Sequence, residues 1–186
     1  MRFHVPFLLA FTAIAQATPV PSELVKRDGT AVLDAVNTIS DAMVTLNTTV
    51  TSYKGGFIGT GTALKIEFQS IALSNDLKDA ISTTKDSANF TEEESLSVSG
   101  AFLDLQPNIF TTLDNIVSKK PQFDTGLLGI GSLSFLVKSN LENQRDLAAE
   151  LGEEVTVKLA PAYAAIAPAL NKQIADKFAE AIAVFA

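Results

Sequence analysis

Any catalysis by this chain would have to come from its carboxylates. The acids pair or cluster at Asp34 and Asp41, Asp76 and Asp79, Glu92 to Glu94, and Glu153 and Glu154. Paired carboxylates are the working groups of glycoside hydrolysis. These, however, fall where solvated helix faces and helix caps are expected, the usual place for charge. No acidic run has the D-x-D-x-D-G spacing of a calcium loop. The only histidine is His4, and there is no cysteine. Once His4 leaves with a leader peptide, Ser-His-Asp and Cys-His nucleophiles, structural zinc and disulfides are all excluded. Serine and threonine are plentiful, but no base stands ready to activate one. Gly126, Gly129 and Gly131 form a G-x-x-G-x-G string that no strand precedes, so it is not a dinucleotide fingerprint. The expectation is a non-enzyme with no catalytic residue, no metal and no cofactor.

Residues 1–17 read as a secretory signal. Arg2 supplies a positive start, Val5 to Ala15 is apolar, and Ala15-Gln16-Ala17 offers small residues for cleavage after Ala17. The apolar run is shorter than the ~20 residues a bilayer span requires, so no integral membrane segment is expected after cleavage. Residues 18–27 read as a propeptide or linker, with Lys26-Arg27 as a dibasic processing step after Arg27, and residues 28–186 as one domain. The chain carries 14 basic and 21 acidic side chains, net −7. Removing the three basic and one acidic side chains of residues 1–27 takes this to −9. That balance disfavours nucleic acid, which needs a basic face. Asn47-Thr48-Thr49 and Asn89-Phe90-Thr91 are glycosylation sequons; Asn89 is expected in a loop, whereas Asn47 must sit on the wet face of a helix. Lys172, Asp176, Lys177 and Glu180 interrupt the last residues, so no anchor tail is expected, and the localisation reads as extracellular, with wall association open.

Every positioning element reads as a helix. Val32, Val36, Ile39, Met43, Leu46, Val50 and Tyr53 step by four and three, a narrow stripe of the kind that packs in a bundle, and Gly55-Gly56 stops that helix. A second helix is expected from about Gly61 to Lys85, with one row through Leu64, Phe68 and Ile71 and another through Ile66, Leu73, Leu77 and Ile81. Two apolar rows imply burial on more than one side. Thr91 and Glu94 form a capping box that opens a third helix, again with two rows, interrupted at Pro107, where the helix kinks or starts afresh. A fourth helix is expected from about Gly131 to Leu151. A fifth is expected from about Glu153 to the end, striped by Leu159, Tyr163, Ile166, Leu170, Ile174, Phe178, Ile182 and Phe185 and bent by Pro161 and Pro168. The fold class is all-α, a single antiparallel bundle of about five helices.

What remains unspent is apolar surface. Hydrophobic residues make up 47% of the chain, mean hydropathy is +0.24, and there are 12 Phe against two Tyr and no Trp. Phe has no polar handle, so it fills dry space or lines a dry pocket. Doubled rows on two helices and a proline within one predict an elongated cavity shaped for a fatty acyl chain. The candidate lining is Phe68, Ile71, Phe102, Leu103, Phe110, Phe135, Leu136, Tyr163 and Phe178. Ser99, Gln106 or Tyr163 would meet a carboxylate, because Ser99 and Gln106 interrupt the row through Leu96, Leu103 and Phe110.

Two stretches resemble a known family. Val36 to Phe57, VNTISDAMVTLNTTVTSYKGGF, is similar to the first helix and Gly-Gly stop of the fungal hydrophobic surface-binding and antigenic cell-wall galactomannoprotein family. Lys119 to Leu151, KKPQFDTGLLGIGSLSFLVKSNLENQRDLAAEL, resembles the segment after that family's third helix. The resemblance implies a small secreted fungal helical glycoprotein whose partner is a fatty acid or other lipid held in a central cavity. The alternatives it implies are adsorption to a hydrophobic surface with recruitment of hydrolases, or a cell-wall mannoprotein antigen. It supplies no catalytic residues. Larger members carry repeated domains and a Ser/Thr-rich stalk, neither of which is present in this chain.

Overall fold

A computed structural model of the chain describes residues 28–126 and 131–186. The leader, the dibasic step, Ala17 and Arg27 lie outside those residues. Among the described residues all regular structure is helical: α1 (Asp28–Ser52), α2 (Gly56–Asp86), α3 (Glu92–Ser118), α4 (Lys120–Asp124), α5 (Ser134–Lys158), α6 (Pro161–Ala164) and α7 (Ala167–Val184). Five helices are long, and α4 and α6 are single turns at their links. None of the described helices is long and apolar enough to cross a membrane.

The five long helices close into a ring, α1–α2–α5–α7–α3. Consecutive long helices run in opposite directions, as the short α1–α2 and α5–α7 links require. Within the ring, however, three of the adjacent pairs are parallel. Cross-helix bonds show this directly. Asn108 Nδ2 donates to Ser40 Oγ and Asn115 Nδ2 to Asn47 Oδ1, so α1 and α3 rise together. Asn140 Nδ2 donates to Glu67 Oε2 and, at the far end, Lys85 pairs with Glu150, so α2 and α5 run together. Gln106 with Gln173 and Asp114 with Lys177 set α3 along α7. The α2–α5 seam is polar for a core-facing contact: Gln144 is buried and donates to the Ser70 carbonyl. Amides that must find partners fix register more tightly than interchangeable methyl contacts do.

The α1 stripe is the hub. Val32, Val36, Ile39, Met43, Leu46, Val50 and Tyr53 are all buried, as their spacing predicts. Tyr53 closes the far end on Phe123, with ring centroids 4.8 Å apart, and Phe123 in turn meets Phe185. The turn between α1 and α2 needs glycine at Gly55. Its φ is +73°, and a Cβ there would sit 2.8 Å from the Gln122 carbonyl oxygen. The helix restarts at Gly56 rather than near Gly61.

Three further expectations are refined. Thr91 caps α3 with both bonds of the capping box, as the pattern predicts. Pro107 does not end α3. The helix runs through it to Ser118, with the proline on the exposed face, and the Leu103 carbonyl loses its usual amide partner. The break between the last two long helices falls at Leu159-Ala160-Pro161, not near Leu151–Glu153. Gly152 stays helical because α7 comes close there. A Cβ on Gly152 would lie 2.6 Å from Asn171 Oδ1, so that glycine serves packing rather than termination. Ala160 takes the extended conformation expected before proline (φ −60°, ψ 149°). Its amide donates to the buried Ser95 hydroxyl, and the Phe90 amide caps the Lys158 carbonyl.

Doubled apolar rows do not mean burial on two sides of α2. Ile66, Leu73, Leu77 and Ile81 are buried, but Leu64, Phe68 and Ile71 face outward, continuing Phe57 and Ile58. A helix at a ring position has only one inward face, and the second row is left to solvent.

Candidate functional site

A cavity of about 230 Å3 opens between α3, the last turns of α5, α6 and the first half of α7. Its α3 wall is Ser99, Phe102, Leu103 and Gln106. Gly152, Val155, Thr156 and Leu159 come from α5 and its end. Tyr163, Ile166, Ala167, Leu170, Asn171 and Gln173 come from α6 and α7. The sequence builds it in three local steps. Pro161 and Pro168 break the chain into a single turn and a new helix, so α6 crosses the gap rather than filling it. Gly152 lets Asn171 lie against α5. Ala167 is small where a larger side chain would occupy the space.

The lining is mostly apolar, with no charged side chain among the 14 residues. Ser99 Oγ is shut off from solvent and has no hydrogen-bond partner. A buried hydroxyl left unsatisfied is costly, on the order of 1–3 kcal/mol, and a ligand oxygen would relieve that cost. Gln106 Nε2 donates to Gln173 Oε1 at 2.7 Å, linking α3 and α7 at the polar rim. Thr156 Oγ1 is committed to the Gly152 carbonyl at 2.6 Å. This arrangement binds an apolar chain and offers a few polar atoms to its head.

Of the eleven residues predicted to bind ligand, Ser99, Phe102, Leu103, Gln106 and Tyr163 are brought together here. The others are elsewhere. Phe68, Ile71 and Phe135 stand on the outer surface, 69%, 48% and 72% exposed. Phe178 is packed into the core, and Phe110 is partly buried against it, with the Lys177 ammonium 5.9 Å from its ring centre. Leu136 lines a separate void of about 40 Å3 between α2, α3, α4 and α5. Val155, Thr156, Ile166, Leu170 and Asn171 were not predicted as lining. The available signal was the stripe Leu159, Tyr163, Ile166, Leu170 beside two prolines, since a striped but proline-broken helix cannot close fully on its neighbours.

The acids considered for catalysis do not line this cavity. A broader depression of about 440 Å3 lies at the starts of α1 and α3 and includes Glu93 and Glu94, but Leu33 is its one large apolar side chain. Burial and the nearby Asp79 raise the Asp76 carboxyl above its ordinary range, yet that pair stands on α2, away from the cavity. Asn89 is exposed in the link before α3, whereas Asn47 is half-buried, with Oδ1 accepting from Asn115 Nδ2 at 2.7 Å.

The geometry agrees with known proteins. The structure superposes on AFMP4P in complex with palmitic acid with a TM-score of 0.79 and 26% identity, covering 85% of this chain and 99% of that one. It matches ligand binding domain 2 of the Penicillium marneffei MP1 protein, complexed with multiple arachidonic acids, at TM-score 0.76 and 26% identity, over 87% and 98% of the two chains. Domain 1 of that protein shares the fold at TM-score 0.76 and 22% identity, covering 86% of this chain and 99% of that one. No curated protein sequence matches significantly. The family model for hydrophobic surface binding protein A matches residues 29–156. That span stops inside the cavity lining and leaves out α6 and α7. On that match, over most of the chain, the protein belongs to the hydrophobic surface binding protein A family.

Proposed function

We propose that the protein is a non-catalytic carrier that holds the acyl chain of a fatty acid between α3, α5, α6 and α7. The observation that carries this reading is the uncharged, largely apolar cavity of about 230 Å3 with an orphaned hydroxyl, Ser99 Oγ, in its wall. Two structures of similar fold, AFMP4P and domain 2 of the MP1 protein, are complexes with palmitic and arachidonic acid, which supports the ligand class. At ~30 Å3 for a water-sized group, the cavity holds roughly eight non-hydrogen atoms. A medium chain fits inside, and a longer one reaches the mouth or the interior. Each buried methylene contributes roughly 0.8 kcal/mol before ordering costs. With no cation in the lining, the carboxylate belongs either against Ser99, whose buried hydroxyl it would engage, or at the Gln106–Gln173 rim, where it keeps hydrogen bonds and contact with water.

The test is titration with fatty acids followed by native mass spectrometry. One or a few bound acids are expected, with several-fold weaker binding in Ser99→Ala for the free acid but not for the alkane of the same chain length. No uptake of any acid by folded protein would overturn the reading.

A second reading, adsorption to hydrophobic solids, is favoured by the outward row Phe57, Ile58, Leu64, Phe68 and Ile71 on α2, with Phe135 on α5. Large exposed apolar patches mark interaction surfaces. Depletion of the protein by hydrophobic beads tests it. In both readings residues 1–17 direct secretion, the mature bundle begins after Arg27, and exposed Asn89 is the better glycan acceptor.

A further inference from the structure

The 230 Å3 cavity is not the only void along α3. A smaller one, about 30 Å3, lies between α2, α3, α5 and α7, against Leu77, Leu105, Ala148, Ile174 and Ala175, with the half-exposed Arg145 and the exposed Ala149 at its edge. Two residues line both: Phe102 and Asn171. They form the partition between the larger cavity and the smaller void. Phe102 is nearly fully buried, so its ring fills the space between the voids rather than covering a surface. Asn171 is held lightly. Its Nδ2 reaches Thr156 Oγ1 only at 3.4 Å, and its other side lies against Gly152, where no side chain braces it.

We infer that Phe102, with Asn171 beside it, is the length-determining residue of the cavity. The ring of Phe102 stops an acyl chain at the shared wall, and its removal joins the larger cavity to the smaller void. The inference rests on the proposed acyl-binding reading and adds a specificity that reading does not supply. The physics is simple. A methylene that passes into dry space adds apolar burial, while one that meets a wall must fold back or project into water. Affinity plotted against chain length therefore rises and then breaks at the length where the cavity is full. At ~0.8 kcal/mol per methylene the rise is about fourfold per carbon, and beyond the break it is close to flat.

The experiment measures dissociation constants for saturated fatty acids from eight to about twenty carbons, below their micelle concentrations, with the wild-type chain and three variants. Phe102→Ala is expected to move the break by at least about two carbons to longer acids. Asn171→Ala is expected to move it in the same direction by less. Phe102→Ala combined with Ala175→Leu, which refills the smaller void, is expected to bring the break back toward the wild-type length. Should Phe102→Ala fail to fold by circular dichroism, Phe102→Leu and Asn171→Ala carry the test with a smaller shift. An unchanged break in folded Phe102→Ala, or in both milder variants, overturns the partition. So does an unchanged shift after Ala175→Leu is added. Absence of binding by the wild-type chain at every length is a different result, and it sinks the acyl-carrier reading itself.

Discussion

On α2 the second apolar row, Leu64, Phe68 and Ile71, ends at solvent. On α3 the row that includes Leu103 runs beside Phe102 and ends at a cavity. The two helices look alike in sequence, and their neighbours make the difference. Among the described residues α1 and α5 occupy the flanks of α2 and no element crosses its outer face. Beside α3 the chain returns after Pro161 and spans the gap with the single turn of α6 and the start of α7. Leu103 is still 56% exposed, yet it faces that returning segment across open space. A surplus of apolar side chain thus becomes a pocket wall only where another piece of backbone stands opposite it.

The largest test of this contrast lies within α2. Leu73→Ala should destabilise the fold by about 2–5 kcal/mol, the range for emptying a core leucine site, whereas Phe68→Ala should change stability by no more than ~0.5 kcal/mol. Denaturant unfolding of both variants checks it, and equal losses would mean that the outer row is covered. Next in size is a change that fills the cavity. Ala167→Phe adds a six-carbon ring, and since a cavity of about 150 Å3 holds benzene, most of the available space is lost. Fatty-acid affinity should fall on the order of 100-fold while adsorption to hydrophobic beads stays as in the parent protein. The converse variant, with Phe57, Ile58 and Phe68 all changed to Ser, should weaken bead adsorption by about tenfold and leave acid affinity within twofold. Joint loss of both activities in either variant would show one shared surface.

The smallest effect lies at the end of the bundle away from the cavity. The Lys120 ammonium, with help from the Ser134 and Ser132 hydroxyls, holds the exposed Asp124 carboxyl down to about 2. A carboxyl lowered in the folded state adds stability above its unfolded value near 4, and that stability is lost as pH falls toward 2. Asp124→Asn should therefore flatten the melting temperature slightly over that window and leave acid binding untouched.

Much of the fold was legible in the sequence because its signals are local. The α1 stripe needed only its spacing, and Thr91 with Glu94 needed only three residues. Legibility failed where the outcome depended on a distant partner. The boundary expected between Leu151 and Glu153 falls at Gly152, whose place is explained only when Asn171 is seen lying against it. The row through Phe68 looks buried until its side of α2 proves to have no neighbour among the described residues. The α3 wall of the cavity, four of its 14 residues, could be read because Ser99 and Gln106 interrupt an apolar row at helical spacing. The larger part, from α5, α6 and α7, depends on where two prolines aim the chain, and periodicity does not encode that.

The most direct measurement places a bound acid against one region or the other. A fatty acid carrying a nitroxide near its tail, added to isotopically labelled protein, broadens the amide signals of residues close to the label. The account predicts broadening at Leu103, Leu159 and Leu170 with Leu64, Phe68 and Phe135 unaffected. Broadening confined to the α2 face and Phe135, with the cavity residues sharp, would contradict it.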